Sequence, residues 1–352
     1  MYASSNQLME AMQAASRALH ELGVDQTKSI DVFAAIADSG AWLTFIDGGT
    51  MLGSASREGV GGIRINTARP VEMQRFTAAH ELGHLYLHNG ALDWDGFDEV
   101  AGSAQTPREH TAQFFASHFL MPRKLVNSVL RRHGHVRNAQ LSPQLAYLAS
   151  RDLRVSYEAL IVQLDNLGII TRAQRRRFLD EELKSIKMDY AGGWSIADSR
   201  AHVWKPGTAE LGSINVALHD EIIISVSEDR SRGFIWTISE AVRPATSSLA
   251  SERSPVIVVR DDYDEITGLR QIILRASALG RWSQHLILVG TGEHLEIEGI
   301  VRKSPADVHS AFLARELSRR PEAAAGWKKP TATTAQASES ERPQHPAAPR
   351  IA

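Results

Sequence analysis

Apolar positions recur along the chain with two different periods, and the change from one period to the other divides the sequence. Over residues 1–190 they recur mostly at intervals of three and four, which predicts helices. From about residue 210 to residue 300, β-rich runs alternate with turn residues, which predicts short strands. The expected fold class is an α+β N-terminal part followed by an all-β antiparallel sandwich.

Two β-like stretches, Ala41–Ile46 and Gly61–Asn66, interrupt the helical part, with a turn at Gly48-Gly49 between them. They predict a small sheet that leads into a helix over Arg75–His88. A second long helix is expected after Pro107, followed by a cluster of shorter helices over roughly residues 123–187. An amphipathic helix is expected in the first 23 residues, and a hinge at residues 191–193.

Five β-rich runs predict the strands of the second part: Glu221–Val226, Phe234–Ile238, Pro255–Val259, Gln271–Ala276 and His285–Val289. A helix-start signal at Ser304-Pro305 predicts a terminal helix to about Arg319. Residues 321–352 are rich in Ala, Pro, Thr, Ser and Glu, and we expect them to be disordered because they cannot bury a core.

Composition restricts the chemistry. The 352 residues include no cysteine, so disulfides and thiolate metal ligands are excluded. A formal charge of −2 argues against a bulk electrostatic grip on nucleic acid or membrane. The sequence has no recognisable signal peptide and no apolar run of about 18 residues, so we expect a cytoplasmic protein with no membrane partner.

The run His80-Glu81-Leu82-Gly83-His84 points to a reaction. Two histidines four apart share one helix face, so both imidazoles can reach one Zn²⁺, and the glutamate between them can take a proton from water at the metal. The alternative is an amphipathic helix with two hydrogen-bonded histidines. The uncharged neighbours, Ala78 and Ala79 among them, favour the zinc interpretation, since a charge beside a buried metal would be desolvated.

A catalytic zinc site needs a third protein ligand. His88 lies eight residues beyond His80, about 12 Å along the same helix, which is too far unless the helix breaks. Glu109 is the better candidate because it opens an apolar helix that can pack beside the first. Asp98, Glu99 and His110 are weaker competitors.

The segment Phe76-Thr-Ala-Ala-His-Glu-Leu-Gly-His-Leu-Tyr-Leu-His88, followed by Glu109-x-x-Ala-x-x-Phe-Ala-x-x-Phe-Leu-Met-Pro122, resembles the ImmA/IrrE family of metallo-endopeptidases over about residues 15–185. The resemblance implies that His80, His84 and Glu109 bind one zinc ion and that Glu81 is the general base. Phe119 stands where the family has leucine, a change expected to affect packing only. Tyr86, His88, His110 and His118 are candidates for residues that support a metal ligand by hydrogen bonding or for the donor to the oxyanion.

Family members cleave a helix-turn-helix repressor and thereby switch on genes of mobile elements or of the DNA-damage response. The resemblance therefore implies a protein substrate of that kind and a role in transcription regulation and stress response. Residues 145–168 of this chain themselves have a helix-turn-helix pattern, followed by the basic cluster Arg172, Arg175, Arg176 and Arg177. DNA contact is the less favoured interpretation, because Asp180, Glu181 and Glu182 offset these charges.

In the second part, the segment 218–236 is similar to the chagasin-type inhibitors of cysteine peptidases, which are immunoglobulin-like sandwiches. The residues Asp229, Arg230, Ser231 and Arg232, followed by Gly233, stand where that family has an Asn-Pro-Thr-Thr-Gly loop, so the fold is better supported than inhibition. The loop is a candidate site for a protein partner, and a generic sandwich for substrate recruitment or ligand sensing is the alternative.

These arguments divide the chain into six segments: a zincin-like metallopeptidase core (1–122), a helical HTH-like subdomain (123–190), a linker (191–209), a chagasin-like β-sandwich (210–302), a C-terminal helix (303–320) and a disordered tail (321–352). Two functions compete. The first is a zinc endopeptidase whose β-domain recruits substrate or senses a signal, and the second is a metal-bound regulatory or inhibitor-like protein without turnover. The intact Glu81 favours the enzyme.

Overall fold

The computed structural model describes residues 3–46, 52–56, 62–88, 106–136, 139–198, 200–206, 214–240 and 254–302. The helices are α1 (Ser5–Glu21), α2 (Val32–Asp38), α3 (Val71–Leu87), α4 (Pro107–Leu120), α5 (Arg123–Arg132), α6 (Pro143–Leu153), α7 (Tyr157–Asn166), α8 (Arg172–Asp180) and α9 (Leu183–Tyr190). The strands are β1 (Trp42–Ile46), β2 (Gly53–Ser56), β3 (Gly62–Asn66), β4 (Val203–Trp204), β5 (Ile214–Ala217), β6 (Glu221–Ser227), β7 (Trp236–Glu240), β8 (Val256–Asp264), β9 (Leu269–Ala276), β10 (Gly280–Leu288) and β11 (His294–Arg302).

The N-terminal sheet has the strand order β1-β3-β2. The two predicted strands are confirmed, and they pair in parallel, so β3 is central and the unpredicted β2 is antiparallel to it. Strand β2 escaped prediction because its sequence, Gly-Ser-Ala-Ser, lacks the β-branched residues that mark a strand. The predicted turn at Gly48-Gly49 lies outside the described residues.

Helix α3 is buried on almost all sides. It lies between α1, α4 and the sheet. Its residues from Gln74 to Leu85 are buried, except Phe76, which is half-buried. The Arg75 guanidinium donates to the carbonyls of Arg154 (3.0 Å) and Ile30 (2.7 Å), which ties the start of α3 to two distant segments. Burial lowers the pKa of Arg75 to about 10, so it stays charged at neutral pH.

Helices α5 to α9 form the predicted cluster of shorter helices. Helices α6 and α7 are joined by three residues, with Arg154 in the left-handed region (φ 55°) and Ser156 capping α7 by accepting from the Ala159 amide (3.1 Å). Half of the residues of α7 are buried, and its first turn exposes Glu158. An acidic exposed residue in that position is unfavourable for reading DNA, and the HTH assignment stays a prediction.

The C-terminal part consists of two four-stranded sheets, β5-β11-β10-β7 and β4-β6-β9-β8. Alternate residues from both sheets, including Ile222, Ile272, Trp282 and Ile297, share one buried cluster, so the sheets pack face to face. The prediction of an antiparallel sandwich is correct for the central pairs but wrong at two edges, where β5 pairs with β11 and β4 with β6 in parallel. The chain crosses from one sheet to the other at Leu218-His219-Asp220, so β5 and β6 cannot form a hairpin.

The segment predicted as a linker packs against both parts of the chain. Within it, β4 pairs with β6, and the Val203 amide and carbonyl bond to Tyr147 Oη (3.0 Å) and Arg151 Nη1 (2.7 Å) on α6. The Lys187 ammonium on α9 donates to the Ala201 carbonyl (2.7 Å). These buried polar bonds hold the sandwich against the helices.

The predicted terminal helix (303–320) and disordered tail (321–352), together with Asp98 and Glu99, lie outside the described residues. Within the described ranges, no helix combines the length and apolar character needed to cross a membrane. The immunoglobulin-like and chagasin-like assignments, the domain boundaries and the hinge at residues 191–193 stay predictions.

Candidate metal centre

The centre is built by α3 and α4, which pack against each other. On α3, His80 and His84 are four residues apart and therefore project from the same face. On α4, Glu109 lies in the first turn, and its amide is capped by Thr106 Oγ1 (3.2 Å). A carboxylate in the first turn is favoured by the helix dipole.

Three donor groups converge at this point. His80 Nε2 lies 3.0 Å from Glu109 Oε2, His84 Nε2 lies 3.2 Å from Glu109 Oε1, and the two Nε2 atoms are 3.0 Å apart. All three residues are buried, and their ligand atoms lie within 4.8 Å of one another. Two imidazole nitrogens and one carboxylate are a donor set that binds zinc in proteins.

The protonation states favour metal binding. Burial lowers the pKa of His84, so its ring is neutral at pH 7 and offers a lone pair. Burial alone would raise the pKa of Glu109, but its contacts with the rings of His80 and His84 hold that pKa well below its usual range. A neutral His84 ring beside an ionised Glu109 carboxylate is the state in which these two residues bind a metal.

One buried atom of the site has no hydrogen-bond partner within the described part of the chain, His80 Nδ1. Buried polar atoms are normally paired, and a metal-bound histidine usually donates its other ring N–H, so among the described residues His80 lacks the partner that such a ligand ordinarily has. Glu81 is buried on α3 between the two histidines but is not among the converging donors. This position leaves its carboxylate for a role other than binding the ion.

His88 is not a ligand of this group but contacts one of its members. Helix α3 ends at Leu87, and the backbone of His88 is extended (φ −113°, ψ 113°). His88 Nδ1 lies 3.0 Å from His84 Nδ1, and His88 Nε2 lies 3.2 Å from Thr111 Oγ1. The structure therefore places His88 behind His84, on the side away from the other donors.

The other three candidates have contacts with residues other than the three donors. Tyr86 stacks on Phe115 with ring centroids 5.7 Å apart, and burial raises the pKa of its hydroxyl to about 12. His118 is bonded to the Phe114 carbonyl (3.0 Å), and His110 Nδ1 accepts from the Ala3 amide (3.2 Å). Three of the four histidines and tyrosines proposed as oxyanion donors thus have structural contacts elsewhere.

The loop Asp229–Gly233 is a short 3₁₀ turn at the end of β6. Asp229 Oδ1 accepts from Ser231 Oγ (2.6 Å) and from the Arg232 amide (3.2 Å), while Gly233 is left-handed (φ 79°). Arg230 pairs with buried Glu228 (2.8 Å) and stacks over Tyr263. The loop follows the last residue of β6, about 20 Å from the first residues of that strand, which pair with β4. The loop is not part of the group of His80, His84 and Glu109.

Sequence reasoning missed Thr111, the residue that contacts His88. It lies two residues beyond Glu109, which places it about 200° further round the helix, so no periodicity links it to the site. Sequence reasoning also missed Tyr147 and Val203, which join the helices to the sandwich. Neither pair has a spacing that predicts the contact.

Two structures similar to part of the chain were found by comparison with solved structures. The cysteine protease inhibitor EhICP2 from Entamoeba histolytica is 18% identical over 29% of this chain and 95% of its own, with a TM-score of 0.22. Amebosin, solved in solution, is 12% identical over 29% of this chain and 98% of its own, with a TM-score of 0.19. TM-scores of this size do not establish a shared fold, and no protein of curated function matches the chain.

A family model gives a more informative match. Residues 36–165 match the model of the peptidase M78 family, described as the IrrE N-terminal-like domain. The match lies within the range 15–185 expected from the two motifs and contains His80, Glu81, His84 and Glu109. Over these residues the chain is therefore similar to a metallopeptidase domain of the IrrE type.

Proposed function

We propose that this protein is a zinc-dependent endopeptidase whose active site is formed by His80, His84, Glu109 and Glu81. The observation that carries the proposal is the convergence of two imidazole Nε2 atoms and one carboxylate within 3.0–3.2 Å. The similarity of residues 36–165 to an M78 peptidase domain supports it independently. The family match links residues 36–165 to a metallopeptidase domain. The zinc ion and the peptidase activity are what we propose.

His80, His84 and Glu109 would hold the ion, and Glu81 would act on protons. When bound, zinc supplies Lewis acidity that polarises a peptide carbonyl and makes water easier to deprotonate. Glu81 accepts the proton of the attacking water and passes it to the leaving amine. Burial of Glu81 among uncharged residues of α3 keeps competing water away from its carboxylate.

The substrate class follows from the resemblance of the motifs to ImmA/IrrE peptidases. We propose a regulatory protein with a helix-turn-helix domain as substrate, which places the chain in transcription regulation and stress response. The β-sandwich would recruit this substrate or sense the signal that starts cleavage. Its attachment through β4, Tyr147 and Lys187 supports a role coupled to the helices rather than that of a freely tethered module.

The experiment replaces Glu81 by Gln, which keeps the size of the side chain but removes the proton acceptor. Parent and Glu81→Gln are loaded with zinc and incubated with a candidate repressor from a neighbouring gene and with a proteome-derived peptide library, and cleavage is read by mass spectrometry. We expect equal zinc content and loss of all cleavage in the variant. Equal cleavage by both proteins would remove Glu81 from the mechanism.

The second candidate function is a metal-bound regulatory or inhibitor-like protein without turnover. It predicts that the parent binds zinc but cuts nothing in the library, and that Glu81→Gln changes no property of the protein. Retention of a buried glutamate between the two histidines favours the enzyme, because a purely structural site has no use for a buried carboxylate that is not a ligand.

A further inference from the structure

Behind His84 runs a chain of three hydrogen bonds that begins on α4. Thr111 Oγ1 donates to the Arg108 carbonyl at 2.8 Å, His88 Nε2 lies 3.2 Å from Thr111 Oγ1, and His88 Nδ1 lies 3.0 Å from His84 Nδ1. The far nitrogen of His84, Nε2, is the one that faces Glu109 and His80. The chain therefore connects the backbone of α4 to a proposed metal ligand on α3.

The direction of this chain follows from the number of protons available. A threonine hydroxyl has one proton, and here it points to the Arg108 carbonyl, so Thr111 Oγ1 accepts from His88 Nε2–H. A neutral histidine has one N–H, so His88 Nδ1 carries a lone pair and accepts from His84 Nδ1–H. His84 Nε2 is then left without a proton and can bind a metal.

The reverse direction is incompatible with the metal site. If Thr111 donated to His88 Nε2, His88 would donate through Nδ1 to His84 Nδ1, and the proton of His84 would lie on Nε2, among the donor atoms. Because the Arg108 carbonyl takes the only proton of Thr111, the fold selects the first direction. The two directions differ only in which nitrogen of each ring carries the proton.

We propose that Thr111 and His88 are positioning residues that fix the tautomer and the ring rotation of His84, so that Nε2 is ready to bind the metal. The inference rests on the proposed function, because these hydrogen bonds prepare a ligand of the proposed metal site. It also gives His88 a role although it is not a ligand. His80 provides the contrast, because its Nδ1 has no partner among the described residues.

Four variants and one control test the positioning. His88→Leu removes the acceptor of His84 Nδ1–H, whereas His88→Asn keeps an oxygen near the place of Nδ1. Thr111→Val removes the hydroxyl, whereas Thr111→Ser keeps it. The matched control is His118→Gln. His118 is a buried histidine on α4, like Thr111, and its described hydrogen bond joins it to the backbone of its own helix. Zinc affinity is measured by competition with a chromogenic chelator, and the urea midpoint of each metal-free variant shows that it folds.

We expect His88→Leu to weaken zinc binding by roughly 10- to 100-fold, the usual effect of removing the partner of a ligand histidine. His88→Asn and Thr111→Ser should retain most of the affinity, and His118→Gln all of it. The double variant His88→Leu, Thr111→Val should bind no more weakly than His88→Leu alone, because both act through one chain. Parent-like affinity in His88→Leu, or losses that multiply in the double variant, would overturn the proposal.

A measurement on the metal-free protein separates this proposal from the proposed function. In ¹⁵N-histidine-labelled protein, nitrogen shifts should identify His88 as the Nε2–H tautomer and His84 as the Nδ1–H tautomer, with assignment by the single variants. The opposite tautomers would contradict the proposed direction of the hydrogen bonds even if zinc binds. A parent that shows the expected tautomers but binds no zinc refutes the proposed function instead.

Discussion

Glu109 Oε2 lies 3.0 Å from His80 Nε2, although the two residues belong to different helices. Helix α3 ends at Leu87, and α4 begins at Pro107. The contact requires α3 and α4 to approach closely. At Gly83 an added Cβ would lie 3.0–3.2 Å from atoms of Phe115, which is fully buried on α4. The small residue inside the motif therefore sets the spacing that lets Glu109 reach the two histidines.

Replacing Glu109 by Gln should abolish tight zinc binding. The amide keeps the shape of the side chain but removes the negative charge that offsets the ion, and its NH₂ group would face the lone pairs of the histidines. The zinc content of purified protein and the affinity from chelator competition measure the effect. Glu158→Gln, at an exposed position on α7, is the control and should bind zinc like the parent. Unchanged zinc affinity in Glu109→Gln would show that the third ligand is another residue.

Gly83→Ala should destabilise the protein even though alanine favours a helix. Overpacking a full core costs roughly 1–3 kcal/mol, while the gain in helix propensity is about 1 kcal/mol. Phe115 has little room to yield because it stacks between Tyr86 (5.7 Å) and Phe119 (5.8 Å). The free energy of unfolding in urea measures the change.

A second substitution isolates the cause. In a Phe115→Leu background the clash with the new Cβ is relieved, so Gly83→Ala should become neutral or stabilising there. The same destabilisation in both backgrounds would show that Phe115 does not limit the approach of α3 and α4.

Two buried tyrosines in the helical part should respond in opposite ways to the loss of a hydroxyl. Tyr147 Oη accepts from the Val203 amide (3.0 Å), so Tyr147→Phe leaves a buried donor unpaired and should cost about 1–3 kcal/mol. The buried hydroxyl of Tyr157 has no hydrogen-bond partner among the described residues, so Tyr157→Phe should be neutral or stabilising. Urea unfolding compares the two variants. Equal effects would mean that the bond to Val203 does not stabilise the attachment of β4.

The stability of the metal-free protein should fall as the pH is lowered below about 6.5, the ordinary pKa of a histidine. Burial lowers the pKa values of His84 and His118 in the folded state. The unfolded chain therefore binds more protons in the window below that pH, and the folded state loses stability there. Unfolding free energies between about pH 7.5 and pH 5 measure the slope. His118→Gln removes one of these groups and should make the slope shallower, and a slope identical to that of the parent would exclude His118 as a contributor.

Much of the local structure could be predicted because it depends on residues close together in sequence. The strands Ala41–Ile46 and Gly61–Asn66 and the helices around His80 and Glu109 were found at nearly the expected positions. Strand β2 and the parallel pairs of β4 and β5 were not, because pairing partners far apart along the chain have no local signature. The same limit explains why Leu218–Asp220 was not recognised as a connection between the two sheets.

The sequence by itself determined the pairing of His80 with His84, since four residues make one helical turn and the geometry is local. It also indicated the character of α3, whose uncharged neighbours suit a buried helix. Only the tertiary structure decided that Glu109 faces both rings, that Thr111 and His88 support His84, and that β4 is held by Tyr147. These contacts join residues on separate elements, and they exist because packing of the core fixes the helices and sheets against one another.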